Sequence, residues 1–170
     1  MTEEPGAELA AAGSRLPFPE VAALFNPPLG AIVLAAAAIG HMEDAGSGLP
    51  WLASFLVTPF AFHDPTRLAL PRGIATNLGA WIGEHRVLGD QFGRHAQVLA
   101  PTTRAAIRYA LRSGMITLAS ATLTASGPVP GITGNRAADI REYYRAGRLA
   151  GRWLARTDVV TAYSILGVAL

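Results

Sequence analysis

The sequence predicts a mostly α-helical protein of the α+β class, a single helical domain that carries a small β-hairpin and is winged-helix-like. Three observations support this prediction. Hydrophobic residues make up 51% of the 170 residues and charged residues only 15%, which excludes intrinsic disorder for most of the chain. Helical patterns bounded by proline and glycine run to about residue 114. A β-branched segment with near alternation then follows at 115–126.

The amino-terminal region divides into an arm and the start of the domain. Residues 1–16 are expected to be a flexible arm and 17–170 one domain, since a chain of this length can bury a sizeable core. "FPEVAALF" (18–25) predicts a first short helix, with Pro19 and Glu20 suited to its first turn. "MTEEPGAELAAAGS" opens with acidic residues where a secretory signal carries basic ones, so we expect a cytoplasmic protein.

A central helix follows. "NPP" (26–28) ends the first helix and begins a second, which should run to Met42 or Asp44 before "AGSG" ends it. Because this helix is apolar nearly all round, it must lie at the centre of the fold.

Two apolar runs are candidates for membrane-spanning helices. "LGAIVLAAAAIG" (29–40) and "LPWLASFLVTPFAF" (49–62) are both shorter than the roughly 20 residues that a membrane helix needs. The charged segment "HMEDAGSG" separates them, so both are predicted to be buried core segments.

The next elements are shorter. A third helix at about 51–61 follows Pro50 and should be interrupted or kinked at Pro59. "HDPTRLAL" (63–70) predicts a turn and a short helix, and "IATNLGAWIGEH" (74–85) a further helix.

Two separate helices are predicted after these. "VLGDQFGRHAQVLA" (87–100) should end before Pro101, and "PTTRAAIRYALRSG" (101–114) should begin at that proline and end at Gly114.

The end of the chain combines strand and helix. "MITLASATLTAS" (115–126) predicts a strand pair around Ala119 and Ser120, or one strand, and "GPVPGITGN" (127–135) a loop. A long helix at about 139–157 and a short helix or apolar tail at 159–170 complete the chain. Two helices, the second ending in glycine, followed by a small β-hairpin are the order of elements at the end of a winged helix-turn-helix, an order that other α+β domains also contain.

The long helix carries a stripe of arginines. At about 100° per residue five of them lie within about 80° of one another, so one face of the helix is guanidinium along its length. Only Asp139 and Glu142 are acidic here, both in the first turn, so we expect a partner or another part of the chain to neutralise the stripe. Nucleic-acid phosphates and an acidic protein surface are the two candidate partners. The five residues are Arg141, Arg145, Arg148, Arg152 and Arg156.

A second set of arginines repeats at i, i+4 and i+8 on the helix before the hairpin. If the fold is a winged helix, Arg104, Arg108 and Arg112 occupy the position of a recognition helix, where they could reach phosphates; a solvated helix face is the simpler interpretation of the same pattern.

No catalytic motif or metal site is predicted. The chain has no cysteine, and all 14 basic residues are arginine, which excludes a Walker lysine, a Schiff base and thiolate chemistry. The motifs GxSxG, P-loop and GxGxxG do not occur, and neither "HMED" (41–44) nor "HD" (63–64) has metal-ligand spacing. We therefore expect no enzyme activity, no metal and no cofactor.

Three segments, in order over residues 24–168, resemble the middle component of three-component ABC ATPase systems: "LFNPPLGAIVLAAAAIG", "GLPWLASFLVTPFAFHDPTRLALP" and "GRLAGRWLARTDVVTAYSILGV". The alanine-rich second helix departs from the bulkier and more polar residues usual there. The matching positions are Asn26, Pro27, Gly48, Leu49, Pro50, His63, Pro65, Arg67, Leu70, Pro71, Gly151, Arg152, Trp153, Leu166 and Gly167.

The resemblance implies a non-catalytic subunit of a bacterial antiviral defence complex of the Lamassu type. In such a complex an SMC-like coiled-coil ABC ATPase senses foreign DNA, an effector, often a nuclease, acts, and the middle component bridges or steadies both. The arginine stripe would then meet an acidic ATPase surface or DNA. An autonomous winged-helix DNA-binding regulator is the alternative interpretation.

Overall fold

The computed structural model describes residues 26–129 and 137–169, with side chains from residue 140 in the second range. The predicted arm at 1–16, the predicted helix at 18–25 and part of the predicted loop at 127–135 lie outside the described residues. The described part is mostly helical with a small antiparallel sheet, as predicted. Its helices are α1 (Pro27–Ala45), α2 (Ser54–Phe62), α3 (Asp64–Ala69), α4 (Leu78–Glu84), α5 (Arg86–Arg112), α6 (Ala137–Ala155) and α7 (Val159–Ile165). Its strands are β1 (Leu49–Pro50), β2 (Ile116–Ala119) and β3 (Thr122–Ala125).

Local signals in the sequence set both ends of α1. The Asn26 side chain accepts a hydrogen bond from the backbone N–H of Leu29 at 3.1 Å, and two prolines occupy the first turn. At the other end Gly46 adopts a left-handed φ of 66° and donates its N–H to Met42 O at 2.9 Å. The helix therefore begins and ends close to where the sequence predicts.

Helix α1 is buried along most of its length, as its apolar composition predicts. Ala31 and the segment 33–38 are at most 1% exposed, and the run at 49–62 also contributes to the core. Among the described residues, no helix is both long and apolar enough to span a membrane.

Helices α1 and α6 run in the same direction and pack so closely that their backbones are in contact. A Cβ atom added to Gly147 would lie 2.5 Å from Val33 O, and one added to Gly151 would lie 2.0 Å from Ala37 O. Gly40 of α1 makes a similar approach to α6. Only glycine permits this distance, so these positions fix the register of the two helices.

The prediction of two helices divided at Pro101 is wrong. Helix α5 continues through this proline from Arg86 to Arg112. Its buried face lies on both sides of Pro101 and includes Leu99, Thr103 and Ala106, while the proline itself is exposed. The shared packing of this face offsets the cost of roughly 3 kcal/mol that proline imposes inside a helix.

The predicted hairpin is present, and a third strand joins it. Strands β2 and β3 are antiparallel and meet at a turn in which Ser120 and Ala121 have φ values of 49° and 60°. The two-residue β1 pairs with β3, giving the order β1-β3-β2. Strand β1 was not predicted from the sequence, because two residues carry no detectable alternation. A short 3₁₀ turn, Trp51–Ala53, then leads into α2.

The aromatic core gathers around Phe60 of α2. The ring centroid of Phe60 lies 4.6 Å from Phe92, 5.7 Å from Trp153 and 6.0 Å from Trp81. Trp153 donates its indole N–H to Thr76 O at 2.8 Å. This cluster joins helices α2, α4, α5 and α6.

Gly151→Ala should lower the free energy of unfolding by about 3 kcal/mol, because the new methyl group forces α1 and α6 apart. Gly83→Ala is the matched control, since a Cβ there meets no atom within 4 Å, and it should stabilise the helix by about 0.5–1 kcal/mol. Urea denaturation followed by circular dichroism measures both. Equal midpoints for Gly151→Ala and the unmodified chain would contradict the proposed role of this glycine contact.

Candidate anion-binding surface

The predicted arginine stripe lies on one side of α6, and we call it the arginine face. On the other side of the helix Ala146, Leu149 and Trp153 are buried in the core, as the apolar spacing predicts. The arginines are exposed to different degrees and have different neighbours. The arginine face comprises Arg141, Arg145, Arg148, Arg152 and Arg156.

Arg148 at the centre of the face binds Glu43 of α1. Its Nη2 donates to both Glu43 carboxylate oxygens at 2.9 Å, and its Nε lies 3.1 and 3.2 Å from them. The hydrogen bond to Glu43 raises the pKa of Arg148 above its ordinary value, against the opposing effect of burial. This forked geometry holds the guanidinium in one orientation.

Asp44 of α1 joins the next two arginines. Arg152 Nε donates to Asp44 Oδ1 at 2.9 Å, and Arg156 Nε donates to Asp44 Oδ2 at 2.7 Å. The Asp44 side chain is only 7% exposed. Burial alone would raise its pKa, but the hydrogen bonds and charges of Arg152 and Arg156 lower it below the ordinary value.

The amino-terminal part of the face has other contacts. Arg145 donates to Glu142 Oε2 at 3.1 Å and to the carbonyl oxygen of Pro71, in the loop between α3 and α4, at 3.1 Å. Arg141 is exposed. Arg145 therefore ties the loop to α6.

The expectation that something acidic faces the stripe is met within the chain itself. Glu43 and Asp44 belong to "HMED", which sequence analysis considered only as a metal ligand set. They lie more than 100 residues from their arginine partners, so local spacing could not reveal the contact.

A cavity of about 140 Å³ opens beside the arginine face. Arg72 reaches it from the loop between α3 and α4, a contribution that sequence analysis missed. Gly73, Tyr144 and Leu149 complete the wall, and within the described ranges the charged residues that line the cavity are all arginines: Arg72, Arg145, Arg148 and Arg152.

The predicted arginines of α5 lie in a different place. Arg104 and Arg108 line an apolar groove of about 470 Å³ with Trp51, Leu52, Phe55, Ile107 and Tyr163. Arg112, one turn further along, is exposed and donates its Nε to Arg108 O at 3.4 Å. The two predicted arginine sets thus occupy separate surfaces.

The histidines serve structural roles in this geometry. The His41 ring Nδ1 lies 2.9 Å from Ser47 O, and His63 stacks on His95 with ring centroids 3.8 Å apart. Within the described residues, no group of three His, Cys, Asp or Glu side chains could hold a metal ion.

Several positions that carried the resemblance also support the fold. Arg67 donates to Ala61 O at 2.8 Å, pairs with Asp64 at 2.5 Å and lies 4.3 Å from the centre of the Tyr143 ring. The Asn26 cap is local to α1, whereas the Arg67–Tyr143 and Gly151–Ala37 contacts and the buried Trp153 link elements that are distant in sequence.

Asp44→Asn should lower the free energy of unfolding by about 1–3 kcal/mol at neutral pH, because it removes the acceptor charge shared by Arg152 and Arg156. Asp90→Asn, which removes an exposed carboxylate from α5, is the control and should change stability little. Urea denaturation at several pH values measures the difference.

The sign of the pH dependence follows from the lowered pKa of Asp44. A lowered folded pKa contributes stability that is fully present above the ordinary value of 3.8 and is lost as the pH falls through the folded value. The two variants should therefore differ from each other at neutral pH and converge in acid. A difference that grows on acidification would contradict this account.

Comparison with known protein families identifies the chain. Residues 16–170 match the family model described as ABC-three component (ABC-3C) system Middle Component 3. No curated protein and no solved structure was found to match. The family match covers nearly the whole chain and agrees with the resemblance seen in its segments. The chain therefore belongs to the ABC-3C middle component 3 family.

Proposed function

We propose that this middle component is a non-catalytic assembly subunit of an SMC-like ABC ATPase complex of the Lamassu antiviral type. In this role it acts in the cytoplasm, where it bridges or steadies the ATPase and a nuclease effector. Family membership supports a place in a multi-component system. The groove beside α5 carries the proposal, because its composition suits a protein partner.

The groove combines exposed aromatic surface with arginine. Trp51 is 41% exposed and meets Phe55 edge-on, with ring centroids 6.1 Å apart. Arg104 lies 5.8 Å from the centre of the Phe55 ring. Tryptophan and arginine are the residues most enriched at the energetic centres of protein interfaces.

One wall of the groove is fixed in place. The Tyr163 hydroxyl of α7 donates to Leu52 O at 2.8 Å, so the 3₁₀ turn that carries Trp51 is tied to α7. A fixed wall loses little conformational entropy when a partner binds, which favours affinity.

The charge of the groove defines the partner. Arg104 and Arg108 border it, Arg112 extends the row along α5, and none of the described residues that line the groove is acidic. A complementary partner segment presents apolar side chains flanked by aspartate or glutamate. We assign this segment to the ATPase component, with the arginine face as a second contact surface toward DNA or acidic protein.

Biolayer interferometry tests the proposal by measuring how tightly the ATPase component binds to this chain when the chain is immobilised. Trp51→Ser and the double variant Arg104→Glu/Arg108→Glu should each weaken binding at least tenfold, because one removes the apolar anchor and the other reverses the charge. Leu68→Ser, at an exposed position on α3, and Arg94→Glu on α5 are the matched controls. If both groove variants are folded by circular dichroism and bind the ATPase component as tightly as the unmodified chain, the groove is not the docking surface.

A second candidate is the autonomous winged-helix DNA-binding regulator. The sheet order favours it, since β1 follows the first described helix and pairs with β3 of the hairpin that follows α5. Such a regulator would bind a specific duplex as a dimer without any ATPase. Two results together would exclude this candidate: the chain is a monomer in sedimentation equilibrium, and it binds DNA duplexes without sequence preference.

A further inference from the structure

The cavity beside the arginine face has the chemistry of an anion site. Its charged lining consists of four guanidinium groups, three from one side of α6 and Arg72 from the loop between α3 and α4. Among the described residues that line the cavity there is no carboxylate, although Glu43 and Glu142 pair with two of the lining arginines, Arg148 and Arg145. Arginine presents fixed N–H donors whose geometry matches the oxygens of a phosphate group.

Donor groups remain available to a ligand. Arg152 uses its Nε toward Asp44, Arg148 uses Nε and Nη2 toward Glu43, and Arg145 uses all three nitrogens, toward Glu142 and Pro71 O. In the part of the chain that the structure describes, the Arg72 guanidinium has no hydrogen-bond acceptor or ion-pair partner. Arg72 is thus the cation of the cavity least committed to the fold.

The other guanidiniums are held in place before any ligand arrives. Glu43 orients Arg148, Asp44 orients Arg152, and Pro71 O fixes Arg145. Ordering these long side chains therefore adds little entropy cost to binding.

The surface stays basic after all these pairs are formed. Six arginines, Arg72 and the five of the arginine face, stand against three carboxylates, which leaves a formal charge of +3 among the described side chains. The carboxylates are Glu43, Asp44 and Glu142.

The length of the row favours a polyanion over a single phosphate ion. Arg141 and Arg156 are 15 residues apart, which corresponds to about 22 Å along an α-helix. A free phosphate would occupy only the cavity, whereas a nucleic-acid backbone places successive phosphates along the whole row.

We infer that this cavity binds a backbone phosphate of DNA, with Arg72, Arg145, Arg148 and Arg152 as its ligands and Arg141 and Arg156 contacting adjacent phosphates. Binding depends on charge and is independent of base sequence. This inference rests on the proposed second contact surface and names its partner.

The test measures binding of a short fluorescein-labelled DNA duplex to the full chain by anisotropy across a salt series. Arg72→Gln should weaken binding several-fold and reduce the slope of log affinity against log salt by about 1. Arg94→Gln, which removes an exposed α5 arginine with the same change of charge, should leave both quantities nearly unchanged. Arg72 is chosen because substitution of Arg145, Arg148 or Arg152 would also break contacts within the fold.

Three results would overturn the inference. The first is no binding by the unmodified chain at low salt. The second is an equal loss for Arg72→Gln and Arg94→Gln, which would mean that only net charge matters. The third is a loss confined to Arg104→Gln/Arg108→Gln, which would move DNA binding to α5. Each leaves the groove experiment untouched, because ATPase binding through the groove is measured without DNA.

Discussion

The backbone contact between α1 and α6 is the constraint on which the rest of the molecule depends. Gly147 and Gly151 face Val33 and Ala37 so closely that no side chain fits between the helices. Since the two helices run in the same direction, the carboxyl-terminal ends of α1 and α6 lie close together. The negative end of the α1 dipole, together with Glu43 and Asp44, is therefore beside the arginines of α6. The charge pairs on the surface follow from the small residues in the core.

This contact also accounts for the alanine-rich character of α1. A helix that touches a neighbour through its backbone gains stability from many short-range dispersion contacts rather than from large side chains. The bulk needed to fill the core comes from elsewhere, mainly from Phe60, Trp81, Phe92 and Trp153. Alanine in α1 and aromatic residues in the surrounding helices are thus complementary parts of one packing arrangement.

The sequence predicted the elements whose signals are local. Asn26 marks the start of α1, and the β-branched run at 115–126 forms the hairpin, because capping and alternation act within a few residues. The helix boundary predicted at Pro101 is wrong, because burial on both sides of the proline outweighs the local penalty. The five arginines were found from their spacing, but Glu43, Asp44 and Arg72 were not, because only the tertiary fold brings them to the same surface.

The ion pairs that the arginine face makes within the chain do not prevent it from binding a partner, but they affect which part of the face a partner would contact. Asp44 is nearly buried, so it pairs with Arg152 and Arg156 on the protein side of their guanidinium groups. Glu43 is about one-third exposed and would repel an approaching anion. Repulsion falls with distance from Glu43 and is screened within about 8–10 Å by physiological salt. On the side of the cavity formed by the loop between α3 and α4, Arg145 pairs with the exposed Glu142, whereas Arg72 has no carboxylate partner among the described residues. In the proposed complex a DNA phosphate would therefore be held best beside Arg72, and the remainder of the arginine face would orient the DNA along α6.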